Sequence, residues 1–116
     1  MASMAPQYLL GRPSAGVTTG TGPWFPVLNA WTLLTIATTG IGTITAGTLL
    51  IEETDDPSDP NAAMPSQLST LDLTTISAGK KNVAHVGPGA YEYIRARLSA
   101  NITGGGQAYV TLAGAG

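Results

Sequence analysis

Side chains that could carry out acid–base or metal chemistry are few in this chain of 116 residues. The sequence contains no Cys and one His, His85. A chain without Cys forms no disulfide, no thiolate nucleophile and no cysteine-ligated metal site. A Ser/His/Asp triad would have to be built on His85, which lies between Ala84 and Val86 and is more simply a surface or hydrogen-bonded side chain. We therefore predict that the protein is not an enzyme, and we assign no catalytic residue.

Most of the acidic residues stand together in the sequence. Five of the seven Asp and Glu residues lie within eight positions, and they are Glu52, Glu53, Asp55, Asp56 and Asp59. Oxygen-rich loops can hold calcium, but an EF-hand loop needs ligands at alternating positions and a Gly at its sixth position, and this segment has no Gly. A pair of glycosidase carboxylates faces across a cleft and does not crowd one loop. A solvated loop is the simpler interpretation. We predict no cofactor and no metal, although the sequence leaves open whether the acidic loop 52–59 binds a cation.

Two arginines are the clearest candidates for binding a partner. Arg95 and Arg97 are two residues apart in an alternating run, so a strand places them on one face together with Tyr93. Arg and Tyr are enriched at protein interfaces, and Arg can form bidentate pairs with the carboxylates of a neighbour. The alternative is that both arginines pair across strands within their own sheet. The sequence does not distinguish these two possibilities.

Short β-prone runs must position these side chains. From about Ala30 onward, apolar and polar residues alternate over segments that end at turn-forming residues, as in an antiparallel sandwich or barrel. The sequence predicts strands at 32–39, 43–53, 68–77, 80–86, 91–99 and 107–113. The glycine-containing segments 40–42 and 104–106 are predicted to be turns, the first hairpin-like and the second closing a terminal hairpin.

The first 29 residues have a different composition. They contain four Pro and four Gly, which suppress helix and interrupt sheet ladders. The same segment carries apolar side chains that need a partner surface, including Tyr8, Leu9, Trp24 and Phe25. We predict an extended Pro/Gly-rich N-terminal arm over 1–29 and a β-sandwich domain over 30–116. We expect the arm to become ordered on a partner, because its aromatic residues have no strand ladder to join.

Composition and charge argue against two classes of partner. A net charge of −2 and a pI near 5.0 leave no broad basic field for nucleic acid. Residues 31–51 have the length of a membrane-spanning helix, but seven of these 21 residues are Thr and three are Gly. Such a composition favours neither a helix nor insertion into hydrocarbon, and the N-terminus lacks the features of a secretory signal. We therefore expect a soluble, unprocessed protein with no nucleic-acid and no membrane partner.

The C-terminal part of the chain resembles a known group of proteins. Residues 90–114 contain an aromatic-Ile-Arg-x-Arg strand, Tyr93-Ile94-Arg95-Ala96-Arg97, followed by a Thr-Gly-Gly turn and a last alternating strand. This pattern looks like the closing hairpin of small β-sandwich, jelly-roll-like virion proteins of tailed bacteriophages. The predicted strands at 42–53 and 71–77 fit the same layout. The resemblance thus covers roughly residues 30–116.

The resemblance implies a capsid decoration, or cement, protein on the outer surface of the virion. Such a protein binds the shell of the major capsid protein and stabilises it. One copy of this size offers little surface, so we expect a homo-oligomer, a trimer or dimer, on the shell. The residues expected at the partner interface are Tyr8, Leu9, Trp24, Phe25, Tyr93, Arg95 and Arg97.

Two other functions remain open at this point. One is a tail or head-tail structural component. The other is a carbohydrate-binding β-sandwich for host adsorption, in which aromatic rings stack on sugars. The candidates for that stacking are Trp24, Trp31, Tyr91, Tyr93 and Tyr109.

Overall fold

Alternating apolar side chains form two packed antiparallel sheets. The computed structural model describes residues 3–27, 33–54, 66–86 and 93–115. Its strands are β1 (Ser3–Leu10), β2 (Phe25–Pro26), β3 (Leu33–Ile41), β4 (Ala46–Thr54), β5 (Ser66–Asp72), β6 (Lys81–Val86), β7 (Tyr93–Thr103) and β8 (Gln107–Ala115). A short 3-10 helix, Leu73–Ile76, follows β5. The prediction of an all-β sandwich is confirmed.

The strands are ordered as in a jelly roll. The first sheet has the order β1-β8-β3-β6 and the second sheet has the order β2-β7-β4-β5. Strand β1 pairs with β8, β2 with β7, β3 with β6 and β4 with β5, all antiparallel. These nested pairs are those of one long hairpin that has been rolled into two sheets. Among the strands in the described ranges, β4 and β5 are the only successive pair that lies side by side in one sheet.

Both predicted hairpins are wrong, although their turns lie where the glycines indicate. Gly42, Gly104 and Gly105 have φ angles of 70°, 103° and 91°, which suit glycine. Strand β3 belongs to the first sheet and β4 to the second, and β7 and β8 are divided in the same way. Each turn therefore carries the chain from one sheet to the other. Alternation identifies the buried face of a strand, but it does not identify the strand beside it.

The predicted strand at 68–77 ends earlier than expected. Strand β5 stops at Asp72, whose Oδ1 accepts hydrogen bonds from the Thr74 backbone N–H at 3.0 Å and from its hydroxyl at 2.9 Å. This capping contact turns the chain into the 3-10 helix, which buries Leu73 and Ile76. In a strand running to residue 77, Thr75 would share the inward face of Leu71 and Leu73, but it is exposed.

The hydrophobic core lies between the two sheets. Along β7, Ile94 and Ala96 are fully buried, and Leu98 is 7% exposed. Strands of both sheets contribute the other large buried residues, which include Leu34, Ile36, Leu49, Ile51, Val110 and Leu112. None of the helices within the described ranges has the length and hydropathy needed to cross a membrane.

The described part of the N-terminal segment, residues 3–27, belongs to both sheets. Strand β1 pairs along β8 and places Leu9, which is 1% exposed, in the core. The Val17 N–H then donates to the Ala108 carbonyl at 2.9 Å, and the Ala108 N–H donates back at 3.1 Å. Beyond Val17, the chain follows β7, and Phe25 pairs with Ile94. The premise that this segment has no strand ladder to join is therefore wrong.

The proline-rich composition is compatible with these strands because both occupy sheet edges. A proline cannot donate a ladder hydrogen bond, but an edge strand needs donors on one side only. Pro6 lies in β1 within a register irregularity between Met4 and Gln7, and Pro26 lies in the two-residue strand β2. The predicted division between an arm over 1–29 and a domain over 30–116 falls at residues outside the described ranges, so it stays a prediction.

Candidate functional site

The outer face of the second sheet brings two predicted interface residues to one acidic side chain. Along β7, Arg95 and Arg97 alternate with buried residues and so lie on the face that points away from the core. Strand β4 runs beside β7 and places Glu52 opposite Arg95 and Leu50 opposite Arg97. The Glu52 carboxylate therefore lies within reach of both guanidinium groups.

Three hydrogen bonds hold this carboxylate. Arg95 Nε donates to Glu52 Oε1 at 2.9 Å. Arg97 donates from Nε to Oε1 and from Nη2 to Oε2, both at 3.0 Å, and so binds the carboxylate in a bidentate manner. The Glu52 side chain is 4% exposed, whereas those of Arg95 and Arg97 are 17% and 35% exposed. The acid is thus buried beneath two arginines that still reach the surface.

A tryptophan from the N-terminal segment completes the arrangement. The guanidinium carbon of Arg95 lies 4.3 Å from the centre of the Trp24 ring. Trp24 is held there because the Gly22 N–H donates to the Ala96 carbonyl at 2.8 Å and Phe25 pairs with Ile94. A cation over an indole ring is stabilised by about 0.5–2 kcal/mol, depending on how far it is desolvated. We call Trp24, Glu52, Arg95 and Arg97 the arginine cluster.

The arginine cluster has one net positive charge. Burial raises the pKa of Glu52, but the hydrogen bonds from Arg97 and Arg95 and their charges lower it by more, so this pKa lies below its ordinary value. The bond to Glu52 in turn raises the pKa of Arg97. Glu52 and Arg97 are therefore held in their charged forms. One carboxylate neutralises only one of the two guanidinium groups, so the cluster can attract an anionic group of a partner.

The structure resolves one of the alternatives posed by the sequence. Arg95 and Arg97 do pair across strands within their sheet, and their partner is Glu52. The sequence placed Glu52 both at the end of the predicted strand 43–53 and in the acidic loop 52–59; the strand is correct and the solvated loop is wrong for this residue, because it lies within β4 and is 3% exposed. The alternation of side chains along β4 is the signal that could have identified Glu52 as an outward-facing strand residue, since Thr48, Leu50 and Glu52 share one face of β4. Contact of the two arginines with a partner stays a prediction.

The other predicted interface residues are distributed around the sandwich. Tyr93 is half-buried at the start of β7. Phe25 packs against the core, and Leu9 lies within it. Tyr8 is 44% exposed on the other sheet, and its ring meets that of Tyr109 edge-on at 6.5 Å.

Those of the proposed sugar-stacking aromatics that the structure describes do not lie on one surface. Tyr109 alternates with buried residues of β8 and lies on the outer face of the first sheet, whereas Trp24 covers Arg95 on the second. A shallow groove of about 440 Å³ adjoins Tyr8, and its lining includes Arg12, Gly22 and Pro23. Trp31 and Tyr91 lie outside the described residues.

The remaining candidates for chemistry are either isolated or undescribed. His85 is exposed on β6, with its Nδ1 3.2 Å from the Thr35 hydroxyl oxygen. Asp55, Asp56 and Asp59 lie outside the described residues. In the part of the chain that the structure describes, no three His, Asp or Glu side chains are grouped closely enough to hold a metal ion.

Known proteins add no family assignment to this geometry. No protein-family model matches the chain, and no curated protein matches it significantly. The features of the chain that bear on function are therefore the arginine cluster, the sandwich that positions it and the C-terminal sequence pattern.

Proposed function

We propose that this protein is a structural binding module of a tailed-bacteriophage virion, a decoration protein that attaches to the outside of the major capsid protein shell and stabilises it. The observation that carries the proposal is the arginine cluster, which presents two guanidinium groups from β7 and an indole ring from Trp24, the residue directly before β2. Arg and Trp are the residue types most enriched among the side chains that dominate binding energy at interfaces. The jelly-roll order of the strands agrees with the resemblance of residues 30–116 to such virion proteins.

The cluster is already organised for binding before a partner arrives. Arg97 is fixed by its bidentate contact with Glu52, and Arg95 is fixed between Glu52 and Trp24. A long side chain that is immobilised in advance loses less entropy when a partner binds. Each guanidinium has five N–H donors, and Glu52 uses one from Arg95 and two from Arg97. A carboxylate on the shell is the group that this arrangement fits.

The exposed surface of one copy leaves room for contacts with both the shell and a neighbouring copy. A standard interface takes about 800 Å² from each partner, which is roughly one seventh of the 5920 Å² that this chain exposes. One face of the sandwich is thus large enough for a single standard contact. Many copies on a regular shell, each touching the shell and a neighbouring copy, would provide the avidity that stabilises a particle.

The first experiment places the protein in the particle. A cryo-EM map of intact particles, produced from the genome that encodes this chain, should show sandwich-shaped density on the outer surface of the shell. Density on the tail or at the neck would favour the alternative of a tail or head-tail component. Absence of the chain from purified particles would overturn both assignments.

The second experiment tests the arginine cluster with a matched pair of variants. Reversing both charges with Arg95→Glu and Arg97→Glu would surround the buried Glu52 with two more carboxylates, so the milder Arg97→Gln is the better change. It removes the net positive charge while Arg95 still pairs with Glu52. We expect Arg97→Gln to occupy undecorated shells about tenfold less well, since loss of one charged interface contact is worth about 1.4 kcal/mol or more.

The matched control for that experiment is Arg12→Gln. It also removes one positive charge, but Arg12 lies over Tyr8 at the other sheet. We expect Arg12→Gln to keep normal occupancy, and far-UV CD should show both variants folded. If Arg97→Gln and the unaltered chain occupied shells equally well, the arginine cluster would not be part of the contact with the shell.

A further inference from the structure

Strand β6 is a regular and exposed edge of the first sheet. It pairs with β3 over six successive positions, from Leu34 opposite Val86 to Thr39 opposite Lys81, without a register shift. On its other side, the described residues form no ladder with it. Its side chains Lys81, Asn82 and His85 are exposed, and Val83 is 49% exposed. An edge strand of this kind offers a row of backbone donors and acceptors to another strand.

The other described edges are irregular. Strand β1 has two register shifts along β8, and β2 consists of two residues and includes Pro26. Strand β5 has a register shift opposite the step from Ile51 to Glu52. Bulges, prolines, very short strands and charged side chains, lysine above all, are features that keep an edge from pairing with another chain. Among the four edges of the described sheets, β6 is the one without a bulge, a proline or a very short length, and its lysine, Lys81, lies at its first position.

We propose that β6 pairs with β6 of a second copy of this chain, antiparallel and around a two-fold axis at Val83. In this register Val83 faces Val83 of the partner subunit, and Lys81 faces His85 of the partner subunit. The two first sheets then form one continuous sheet of eight strands. The pairing is isologous, because the same strand is used by both copies.

Charge and side-chain matching select this register. A parallel arrangement would place Lys80 and Lys81 beside the same two residues of the other copy, which is unfavourable. In the antiparallel arrangement the lysines lie at opposite ends of the ribbon, about 14 Å apart for a separation of four residues. A two-fold axis at Asn82 would place Val83 opposite Lys81 of the partner subunit. An axis at Ala84 would place Val83 opposite His85 of the partner subunit. The centre at Val83 pairs the exposed apolar side chain with its own equivalent.

The area of this contact indicates how strong the pairing is. Six residues of strand extend for about 20 Å, and such an edge buries well under the 1,200 Å² of a stable interface. The dimer is therefore weak and concentration-dependent in solution. On a shell, where neighbouring copies are held at high local concentration, the same contact would form readily. Pairing of copies on a shell rests on the proposed function, whereas pairing in solution is a property of the free chain.

Single cysteines test the register directly because the chain contains no Cys. Residues directly opposite in an antiparallel pair have Cβ atoms about 4.5–5.5 Å apart, close to the separation in a disulfide. We expect Val83→Cys to give a disulfide-linked dimer on mild oxidation. Tyr8→Cys is the matched control, since Tyr8 is 44% exposed at the opposite edge of the same sheet. Equal cross-linking of the two variants would overturn the proposal.

Two further measurements keep the test decisive. A mixture of Lys81→Cys and His85→Cys should form a heterodimer in preference to either homodimer, and a random distribution of products would contradict the register. Sedimentation of the unaltered chain from micromolar to millimolar concentration should show reversible dimers, and Val83→Lys should weaken them by about tenfold or more. A chain that stays monomeric throughout overturns the pairing. These solution results are independent of whether the chain is later found on a shell.

Discussion

Replacing Glu52 by Gln should destabilise the sandwich through the arginine cluster. Glu52 accepts three hydrogen bonds from two guanidinium groups, and its side chain is 4% exposed. Gln has nearly the same shape but carries no charge, so both arginines lose their counter-charge. Breaking a fully buried ion pair costs about 3–5 kcal/mol, whereas an exposed pair contributes about 0–1 kcal/mol. Because Arg97 is 35% exposed, we expect a loss of about 2–3 kcal/mol at neutral pH.

The effect of pH follows from the lowered pKa of Glu52. A carboxyl group with a lower pKa in the folded state contributes stability that is present above its unfolded pKa and is lost as the pH falls through its folded pKa. The unfolded value for Glu is about 4.3. The difference in unfolding free energy between the unaltered chain and Glu52→Gln should therefore be constant above about pH 5 and shrink as the pH falls below about 4.3 and through the lowered pKa of Glu52.

Urea denaturation at several pH values measures this difference, and thermal unfolding provides a second reading of it. For a domain of this size, about 2–3 kcal/mol corresponds to roughly 6–15 °C in Tm. Glu53→Gln is the matched control, because Glu53 is the next residue of β4 and forms no ion pair within the described residues. We expect that control to stay within about 0.5 kcal/mol. A loss equally small for Glu52→Gln, or a difference that does not depend on pH, would refute the reasoning.

Two more predictions concern the N-terminal segment. Deleting residues 1–27 removes β1, β2 and the buried Leu9 and Val27, so we expect loss of cooperative unfolding in urea; a truncated chain with unchanged stability would show that the segment is dispensable for folding. In Gly22→Ala, the new methyl group would overlap the Leu9 carbonyl oxygen, so we expect a loss of about 1–3 kcal/mol, measured against the exposed control Ser14→Ala, which should be neutral.

The alternation of side chains was sufficient to predict the fold class and several strands. Strands β3, β4, β6, β7 and β8 lie within a few residues of their predicted ranges. The hairpins were wrong because a strand's neighbours depend on contacts far away in the sequence. Strand β8, for example, pairs with β1 and β3 but not with β7, which directly precedes it. Local pattern carries no information about such nested pairing.

The sequence predicted the arginines of the candidate site but not the residues that contact them. Strand parity correctly placed Arg95 and Arg97 on one face, but their partner lies 43 and 45 residues away. Only the register of β4 against β7 brings Glu52 to them. Trp24 depends in addition on the pairing of the N-terminal segment with β7. Counting acidic residues along the chain grouped Glu52 with a loop, although the predicted strand 43–53 already contained it.

Integration of the N-terminal segment changes the energetics of any partner contact. A free arm that became ordered on a shell would lose about 1–2 kcal/mol of conformational entropy per residue, tens of kcal/mol over such a segment. Here the folded chain already compensates for that loss by pairing β1 with β8 and by burying Leu9 and Val27. Trp24 and Arg95 are in place for the same reason. A partner of the kind proposed would therefore meet a preformed surface, and its contacts would contribute to affinity without first having to order the segment that presents them.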